Sequence, residues 1–255
     1  MITRRQFSRL GLGLAALSSC AGTLFGSGRN GPTTTVLPPK EGERLRRTGV
    51  RVNGSYWGAG GEQIDMLSGN LCFSLPLLTA SGREMKASMA CSYNSQLWEQ
   101  HNSRFHEHGA DAGYGYGWRA QFGAVVPHAE NGVIRGYTYI DASGAEYPLS
   151  FSRGVWVSLQ GLYISYCPLE MRLQFPDGTF WILGCRSVPG EHDSGAQYPT
   201  LIQDANGNQV LIRYMAGSGT DKTNTSGRIQ EIQDPRAVMT ATGRKSYVFI
   251  YDASP

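Results

Sequence analysis

The sequence lacks the short motifs that carry acyl-transfer, phosphate or dinucleotide chemistry. It contains no nucleophile elbow around a serine, no phosphate-binding loop and no dinucleotide fingerprint. No constellation of side chains supplies a base, a nucleophile or a metal cage together. We therefore expect that the protein is not an enzyme and requires no cofactor or metal ion.

Charge and long apolar runs are also scarce. Charged residues make up 17% of the chain. Residues 1–19 contain 3 of the 23 Lys and Arg residues and no acidic residue, so the rest of the chain has 20 basic and 20 acidic residues and no net charge. A surface without net charge gives no electrostatic footprint for nucleic acid, and we expect no such partner. The apolar stretch at residues 10–17 is too short to cross a bilayer.

Glycine and tyrosine, by contrast, are abundant, with 33 and 13 residues, and this composition favours strands and turns over helices. Regular turn signals predict an all-β fold of antiparallel hairpins. One hairpin is predicted from residues 70–78 and 85–93, turning at Ser81-Gly82. Further strands are predicted near 118–126, 133–140, 145–151, 155–159, 162–166, 170–175 and 179–184, and polar loops at 97–113, 186–197 and 216–227.

Residues 1–19 resemble an export signal peptide. Arg4 and Arg5 precede Phe7 and the short apolar stretch, as in the signal of the twin-arginine route. A general secretory signal that happens to hold paired arginines is the alternative.

Cys20 follows small residues in a pattern that resembles a lipobox. Acyl chains on its thiol and new amine would anchor the protein stably in a membrane. Ordinary cleavage near Ala21 is the alternative. Because Ala21 is not the aspartate of a retention signal, we expect an outer membrane lipoprotein in a two-membrane cell, and a periplasmic or cell-surface location is the alternative. Residues 20–50, rich in Gly, Thr and Pro, predict a flexible tether.

A strand–turn–strand unit occurs twice near the C-terminus. Ile-Gln-Asp begins at Ile202 and again at Ile232, a period of about 30 residues that is typical of stacked supersecondary units. Such a hairpin needs neighbours to bury its apolar side. Two ordinary hairpins of an all-β domain are the alternative. The motif residues are Asp204, Gly207, Asn208 and Tyr214 in the first unit, and Asp234, Gly243, Arg244, Tyr251 and Asp252 in the second.

This pattern resembles the RHS/YD repeat of bacterial wall-associated and polymorphic-toxin proteins. The likeness extends upstream through an ordered run of weak motifs at residues 65–71, 91–95, 115–119 and 175–180. In that family the repeats wind a β-sheet into a hollow shell, which often encloses a toxin, or the protein sits on the cell surface. The resemblance implies a β-rich N-terminal-like domain at residues 51–195 and two YD-like units at 196–255.

Four cysteines besides Cys20 permit disulfides in an exported chain. If the first hairpin turns at Ser81-Gly82, Cys72 and Cys91 stand directly opposite each other. Cys167 and Cys185 flank a second turn but lie about three residues out of register. Buried free thiols are the alternative, because the twin-arginine route exports proteins already folded in a reducing cytosol.

Two other groups of polar residues are interpreted as parts of loops and turns. His101, His106 and His108 lie near Glu107 and Asp111 but lack the spacing of a metal motif, so a solvated loop is preferred. The strand-end acids Asp141, Asp177, Asp204 and Asp234 are each followed closely by Gly, Asn or Pro, as turns require, which argues against a glycosidase pair.

The preferred hypothesis is a non-enzymatic, surface-anchored structural or interaction protein with an RHS/YD-like β-domain. Its partners would be the membrane, through the lipid anchor, and a cell-surface protein or glycan. A second hypothesis is a truncated N-terminal part of a toxin-encapsulating shell, because the chain stops on the YD motif at residues 252–255. A third is a carbohydrate-binding module in which Tyr116 and Trp118 stack on a sugar.

Overall fold

The computed structural model describes residues 55–251, apart from short gaps at 58–61, 67–68, 83–84, 96–97, 102–103, 108–112, 131–132, 159–161 and 241–244. The described residues are almost entirely antiparallel β-structure, and the predicted all-β fold is confirmed. The predicted signal peptide and tether, with Arg4, Arg5, Phe7 and Cys20, lie outside the described residues.

The described residues contain twenty strands and one short helix. The elements are β1 (Ser55–Trp57), β2 (Glu62–Asp65), β3 (Leu71–Gly82), β4 (Met85–Asn94), β5 (Trp98–His101), β6 (Arg104–Glu107), β7 (Trp118–Gln121), β8 (Gly123–Glu130), β9 (Val133–Asp141), β10 (Glu146–Ser152), β11 (Val155–Ser158), β12 (Ser165–Cys167), β13 (Arg172–Gln174), β14 (Phe180–Ile182), β15 (Cys185–Arg186), β16 (Gln197–Tyr198), β17 (Leu201–Gln203), β18 (Gln209–Tyr214), β19 (Ile229–Gln233), α1 (Pro235–Met239) and β20 (Tyr247–Val248).

The segment predicted as a polar loop at residues 97–113 contains a small hairpin. Strands β5 and β6 pair with each other, with Glu99 opposite His106 and His101 opposite Arg104. The loop prediction was wrong here because a polar segment also satisfies its backbone groups by pairing with itself. His108 and Asp111 lie outside the described residues.

The first long hairpin, β3–β4, belongs to a five-stranded sheet and extends beyond its predicted turn. Strand β3 continues through Ser81, and Gly82 is paired with Met85, so the connection is residues 83–84. The strand continues because Ala80 is fully buried at its end and Gly82 packs closely there, where a Cβ on Gly82 would lie 3.4 Å from the Cβ of Pro235. The turn prediction missed this tertiary contact.

The larger sheet has thirteen strands and turns back on itself. Strands β14–β15 and β16–β17 form one long hairpin with a single register, which runs from Phe180 opposite Gln203 to Arg186 opposite Gln197. Because β16 also pairs with β8, where Gln197 lies opposite Val125, strands β8 to β17 form a closed ring. Strands β18, β19 and β20 continue from the far edge of β17.

A row of buried side chains crosses six neighbouring strands of this sheet. Each residue lies directly opposite the next, at the separation where cross-strand pairs stabilise a sheet. Burial of each large apolar side chain contributes about 2 kcal/mol, before its entropic cost. The row consists of Trp156, Tyr166, Leu173, Trp181, Ile202 and Val210.

The β3–β4 hairpin packs against the same apolar core. Met85, Ala87 and Met89 of β4 belong to one buried cluster with the residues of the large sheet. Near the tip of the hairpin, the Tyr247 hydroxyl of β20 donates to the carbonyl of Thr79 at 3.5 Å. The hairpin therefore connects the start of the described chain to its last strand.

Candidate interaction site

The turn of the first repeat unit is closed by the Asp204 carboxylate. The backbone N–H groups of Asn206 and Asn208 each donate to its Oδ1 at 2.9 Å, and the Asn208 side chain donates to its Oδ2 at 2.8 Å. Partial burial acts to raise the pKa of Asp204, but these donors outweigh it and hold the pKa below its usual value of 3.8. The ionised carboxylate therefore stabilises the turn.

Two other hairpins use the same backbone loop as the Asp204 turn. In each, the N–H of a glycine donates to the carbonyl three residues earlier, at 3.0 Å for Gly144, 3.2 Å for Gly178 and 3.1 Å for Gly207. Their φ angles of 82°, 88° and 86° lie in the left-handed region that favours glycine. Sequence reasoning did not connect the Asp141 loop with the repeat, although both loops read Asp-x-x-Gly.

The second repeat unit replaces this turn with a helix. Asp234 caps α1, since its Oδ1 accepts the backbone N–H of Ala237 at 2.9 Å, and Pro235 occupies the first turn. Sequence reasoning missed this helix, although Asp followed by Pro is a common helix start. The motif residues Gly243, Arg244 and Asp252 lie outside the described residues.

The closing tyrosines of the two units make equivalent hydrogen bonds. The Tyr214 hydroxyl donates to the carbonyl of Pro199 at 3.1 Å, and the Tyr251 hydroxyl donates to the carbonyl of Ile229 at 2.8 Å. Each acceptor precedes the isoleucine of its Ile-Gln-Asp motif by the same number of residues. The two units therefore share a contact between their beginning and their end.

The backbone pairing of the two units is equivalent as well. The N–H of Ile212, two residues before Tyr214, donates to the carbonyl of Thr200 at 2.9 Å. The N–H of Phe249, two residues before Tyr251, donates to the carbonyl of Gln230 at 3.0 Å. Both acceptors lie two residues before the isoleucine of the motif, so the two hairpins have the same inner register.

A second tyrosine accompanies each closing tyrosine. The rings of Tyr198 and Tyr214 lie 5.6 Å apart, and those of Tyr114 and Tyr251 lie 6.1 Å apart. The hydroxyls of Tyr114 and Tyr251 are 2.9 Å apart, and the N–H of Ile229 donates to the Tyr114 hydroxyl at 3.2 Å. Burial raises the pKa of Tyr114, so its hydroxyl stays protonated. Tyr114 thus joins the segment before β7 to the second unit.

Buried carboxylates connect the loops that were predicted at 186–197 and 216–227. Glu191 accepts the backbone N–H of Ser218 at 2.8 Å and pairs with Arg228 at 3.0 Å. Asp193 accepts the Ser187 hydroxyl at 2.9 Å and the Tyr198 hydroxyl. Sequence reasoning did not single out these acids, because nothing in their local sequence indicates that two distant loops pack together.

Apolar side chains are exposed on the last described strand, β20, and two residues after it, at the edge of the large sheet. Val248 is 56% exposed and Ile250 is 89% exposed. In the first unit the position of Ile250 is taken by Arg213, which pairs with Glu231 of the next strand. Exposed apolar residues beside an unfilled strand edge are typical of a surface that accepts another strand.

The two aromatic residues proposed for sugar binding are in different environments. The Trp118 ring packs against Tyr93 at 5.1 Å and against Phe73 at 6.5 Å. Tyr116 is 48% exposed and contacts the His192 ring edge-on. Trp118 is therefore half-buried among other rings, whereas Tyr116 is the more exposed of the pair.

The predicted disulfides are not formed. Cys72 lies opposite Asn94 and Cys91 lies opposite Leu75, because the turn is shifted and a bulge interrupts β3 between Pro76 and Leu78. Cys72, Cys91 and Cys185 are free thiols, so neither the Cys72–Cys91 bridge nor the Cys167–Cys185 bridge is present. Burial raises the pKa of the Cys72 thiol to about 11 and favours its neutral form.

The described part of the chain contains neither a candidate metal cluster nor a candidate membrane-spanning helix. No group of three or more His, Cys, Asp and Glu side chains there is arranged to hold a metal ion. No described helix has the length and hydrophobicity needed to cross a bilayer.

Comparison with known proteins gives only distant structural neighbours. No family model matches the sequence, and no curated protein matches it. The fold is weakly similar to a chain of the TcdB2–TccC3–Cdc42 complex, with 14% identity, a TM-score of 0.39, and coverage of 69% of this chain and 10% of that chain. For a chain of the Photorhabdus luminescens Tc holotoxin pore, the identity is 15%, the TM-score is 0.39, and coverage is 81% and 11%.

Proposed function

We propose that this chain is a non-enzymatic structural and interaction protein of the RHS/YD-repeat type, exported and held at the cell envelope by lipid on Cys20. The observation that supports it most is the equivalence of the two repeat units, in which Tyr214 and Tyr251 close identical hairpin contacts. Stacked units of one kind build a scaffold. The polar side chains of the repeats are used to hold turns and loops together.

The scaffold would present a binding edge to its partner. Val248 of β20 and Ile250 just after it are exposed, and the outer backbone groups of β20 would pair with an extended segment of a cell-surface protein. Strand addition draws affinity from main-chain hydrogen bonds and specificity from alternate side chains. The lipid on Cys20 and residues 20–50 would supply attachment and reach.

The front part of a longer toxin-encapsulating shell is the second candidate function. Exposed Val248 of β20 favours it, because a further repeat unit would pair beside Val248 as the second unit pairs beside Leu211, the equivalent residue of the first unit. The partner strand would then belong to the same polypeptide or to a downstream subunit. A carbohydrate-binding module has less support, since Trp118 is half-buried among other rings, which leaves Tyr116 as the more exposed of the pair.

Membrane fractionation tests the anchor. Cys20→Ala should move the protein from the membrane fraction to the soluble fraction, whereas Cys91→Ala, at a half-buried free thiol, should leave it in the membrane fraction. Continued membrane association of the Cys20→Ala protein would contradict lipidation. A double Arg4→Lys and Arg5→Lys change keeps the charge and should block export only if the twin-arginine route is used.

Intact mass distinguishes the two candidate functions. The native protein from the membranes of its source should have the mass of residues 20–255 plus acyl chains if it works as a stand-alone lipoprotein. A much larger mass would support the shell. An unacylated mass that begins after Cys20 would contradict the anchor in both cases.

A further inference from the structure

A cavity of about 430 Å³ lies between strand β4 and the inner face of the large sheet. This volume is in the range of small-molecule sites. Its lining includes the aromatic residues Phe122, Phe175 and Trp181 and the acidic residues Asp177 and Asp204. None of its described lining residues is Lys, Arg or His.

The topology explains why acids meet at this place. Strands β9, β13, β17 and β19 run in one direction, because an even number of antiparallel pairings separates any two of them in the sheet. The loop after each of these strands therefore lies at the same end of the sheet. Each of these loops contributes an aspartate, which is Asp141, Asp177, Asp204 or Asp234.

The two middle loops touch each other at the cavity. A Cβ placed on Gly178 would lie 3.0 Å from the Cβ of Ala205, so the Asp177 and Asp204 loops are in direct contact. Their carboxylates accept turn N–H groups, at 2.8 Å from Thr179 for Asp177 and at 2.9 Å from Asn206 for Asp204. Asp234, by contrast, has an arginine partner, Arg236, at 3.5 Å.

No described side chain carries a positive charge that pairs with the acids at the cavity. Within the described residues, neither Asp177 nor Asp204 forms a salt bridge. An anion would be repelled there, and a neutral apolar molecule would remove water from the carboxylates without replacing their hydrogen bonds. A cation gains charge-assisted hydrogen bonds from carboxylates and attraction from ring faces.

We propose that this cavity binds a small organic cation, an ammonium or guanidinium group on an apolar chain, with the charge at Asp177 and Asp204 and the chain against Phe122, Phe175 and Trp181. The same chemistry is carried by a free aliphatic amine and by a Lys or Arg side chain of a peptide. The aromatic rings are largely buried, with Trp181 only 8% exposed, so they form a floor for a chain and no flat platform for a sugar.

Titration followed by NMR tests this site in the full folded chain. Agmatine should shift the indole N–H signal of Trp181 saturably, while n-butanol, a neutral chain, should not. A double Asp177→Asn and Asp204→Asn protein keeps oxygen acceptors for both turns and should bind agmatine about tenfold more weakly. Asp221→Asn, at an exposed acid in the loop between β18 and β19, should bind as the unchanged protein does.

Two further comparisons make the result decisive. Acetyl-Ala-Arg-Ala-amide that binds more tightly than agmatine would identify a peptide side chain as the source, and the reverse order would identify a free amine. Equal binding by the double variant, equal binding of n-butanol or methyl glucoside, or no saturable shift with agmatine would overturn the proposal.

Discussion

The first and second repeat units share their hydrogen bonds but differ in how well they are covered. Tyr214 and Ile212 are buried, whereas the equivalent residues of the second unit, Tyr251 and Phe249, are only partly buried, and Val248, at the position of Leu211, is 56% exposed. The hydrogen bonds of each unit are therefore formed within that unit, whereas its apolar side chains are buried by the unit that follows it. In such a stacked architecture the interior unit is well covered, and the last described unit has exposed apolar side chains.

The residue at one outward-facing position also differs between the two units. Arg213 of the first unit lies 3.6 Å from Glu231 of the second unit, which also contacts Lys245 at 2.8 Å. The second unit has Ile250 at the position of Arg213. Where a following strand exists, an outward-facing cation is paired, and at the last described strand an apolar side chain is left open.

Alanine substitution of the closing tyrosines should have the largest effect and should separate the units. Tyr214→Ala should lower the free energy of unfolding by about 3–5 kcal/mol, because it leaves a cavity in the core, and Tyr251→Ala should cost about half as much. Urea denaturation of both variants measures the difference. Equal losses would show that the second unit is as well covered as the first.

Phenylalanine at the same positions should remove the difference. Tyr214→Phe and Tyr251→Phe each delete one hydroxyl that donates to a backbone carbonyl, and each should cost about 1 kcal/mol. The same denaturation experiment applies. A loss at only one position would mean that the two hydrogen bonds are not equivalent.

The first turn should give an acid-dependent contribution to stability. Because the folded pKa of Asp204 is below 3.8, its contribution is complete above that pH and is lost as the pH falls through the folded value. Asp204→Asn should cost about 1 kcal/mol at neutral pH, and its deficit should shrink in acid. Unfolding curves across this pH range, with Asp221→Asn as the control, check the prediction. A deficit independent of pH would contradict it.

Replacing Ile250 by arginine, the residue at the equivalent position of the first unit, should have the smallest effect on stability. Ile250→Arg should change the free energy of unfolding by less than about 0.5 kcal/mol, because the side chain is exposed. It should nevertheless weaken any strand addition at β20, which sedimentation with a partner segment would detect. Ile250→Val is the matched control, and its association should persist.

The regular hairpins could be predicted from sequence, because turn chemistry is local. The strands on both sides of Arg153-Gly154 and Asp177-Gly178, and the strand after Asn131-Gly132, were predicted close to their observed bounds, whereas the strand predicted at 118–126 is two strands, β7 and β8, of which β8 continues to Glu130. The register of β3–β4 could not be predicted, since it depends on contacts of Ala80 and Gly82 with distant parts of the chain. One misplaced turn moved Cys72 away from Cys91.

The candidate site was predictable only in part. The motif residues Asp204 and Tyr214 were found from the repeat, because their roles lie within one unit. The partner tyrosine Tyr114 and the buried acid Glu191 act on segments far along the chain, and no local pattern marks them. The cavity was missed for the same reason, since it combines β4 with loops more than 80 residues away.

Hydrogen exchange at single amides tests the central claim most directly. By alternation along each strand, the N–H groups of Leu211 and Arg213 point toward β19, and those of Val248 and Ile250 point to the outer edge of β20. We predict slow exchange at Leu211 and Arg213 and fast exchange at Val248 and Ile250. Equal protection at both pairs in the isolated chain would contradict the account, because the second unit would then already be covered.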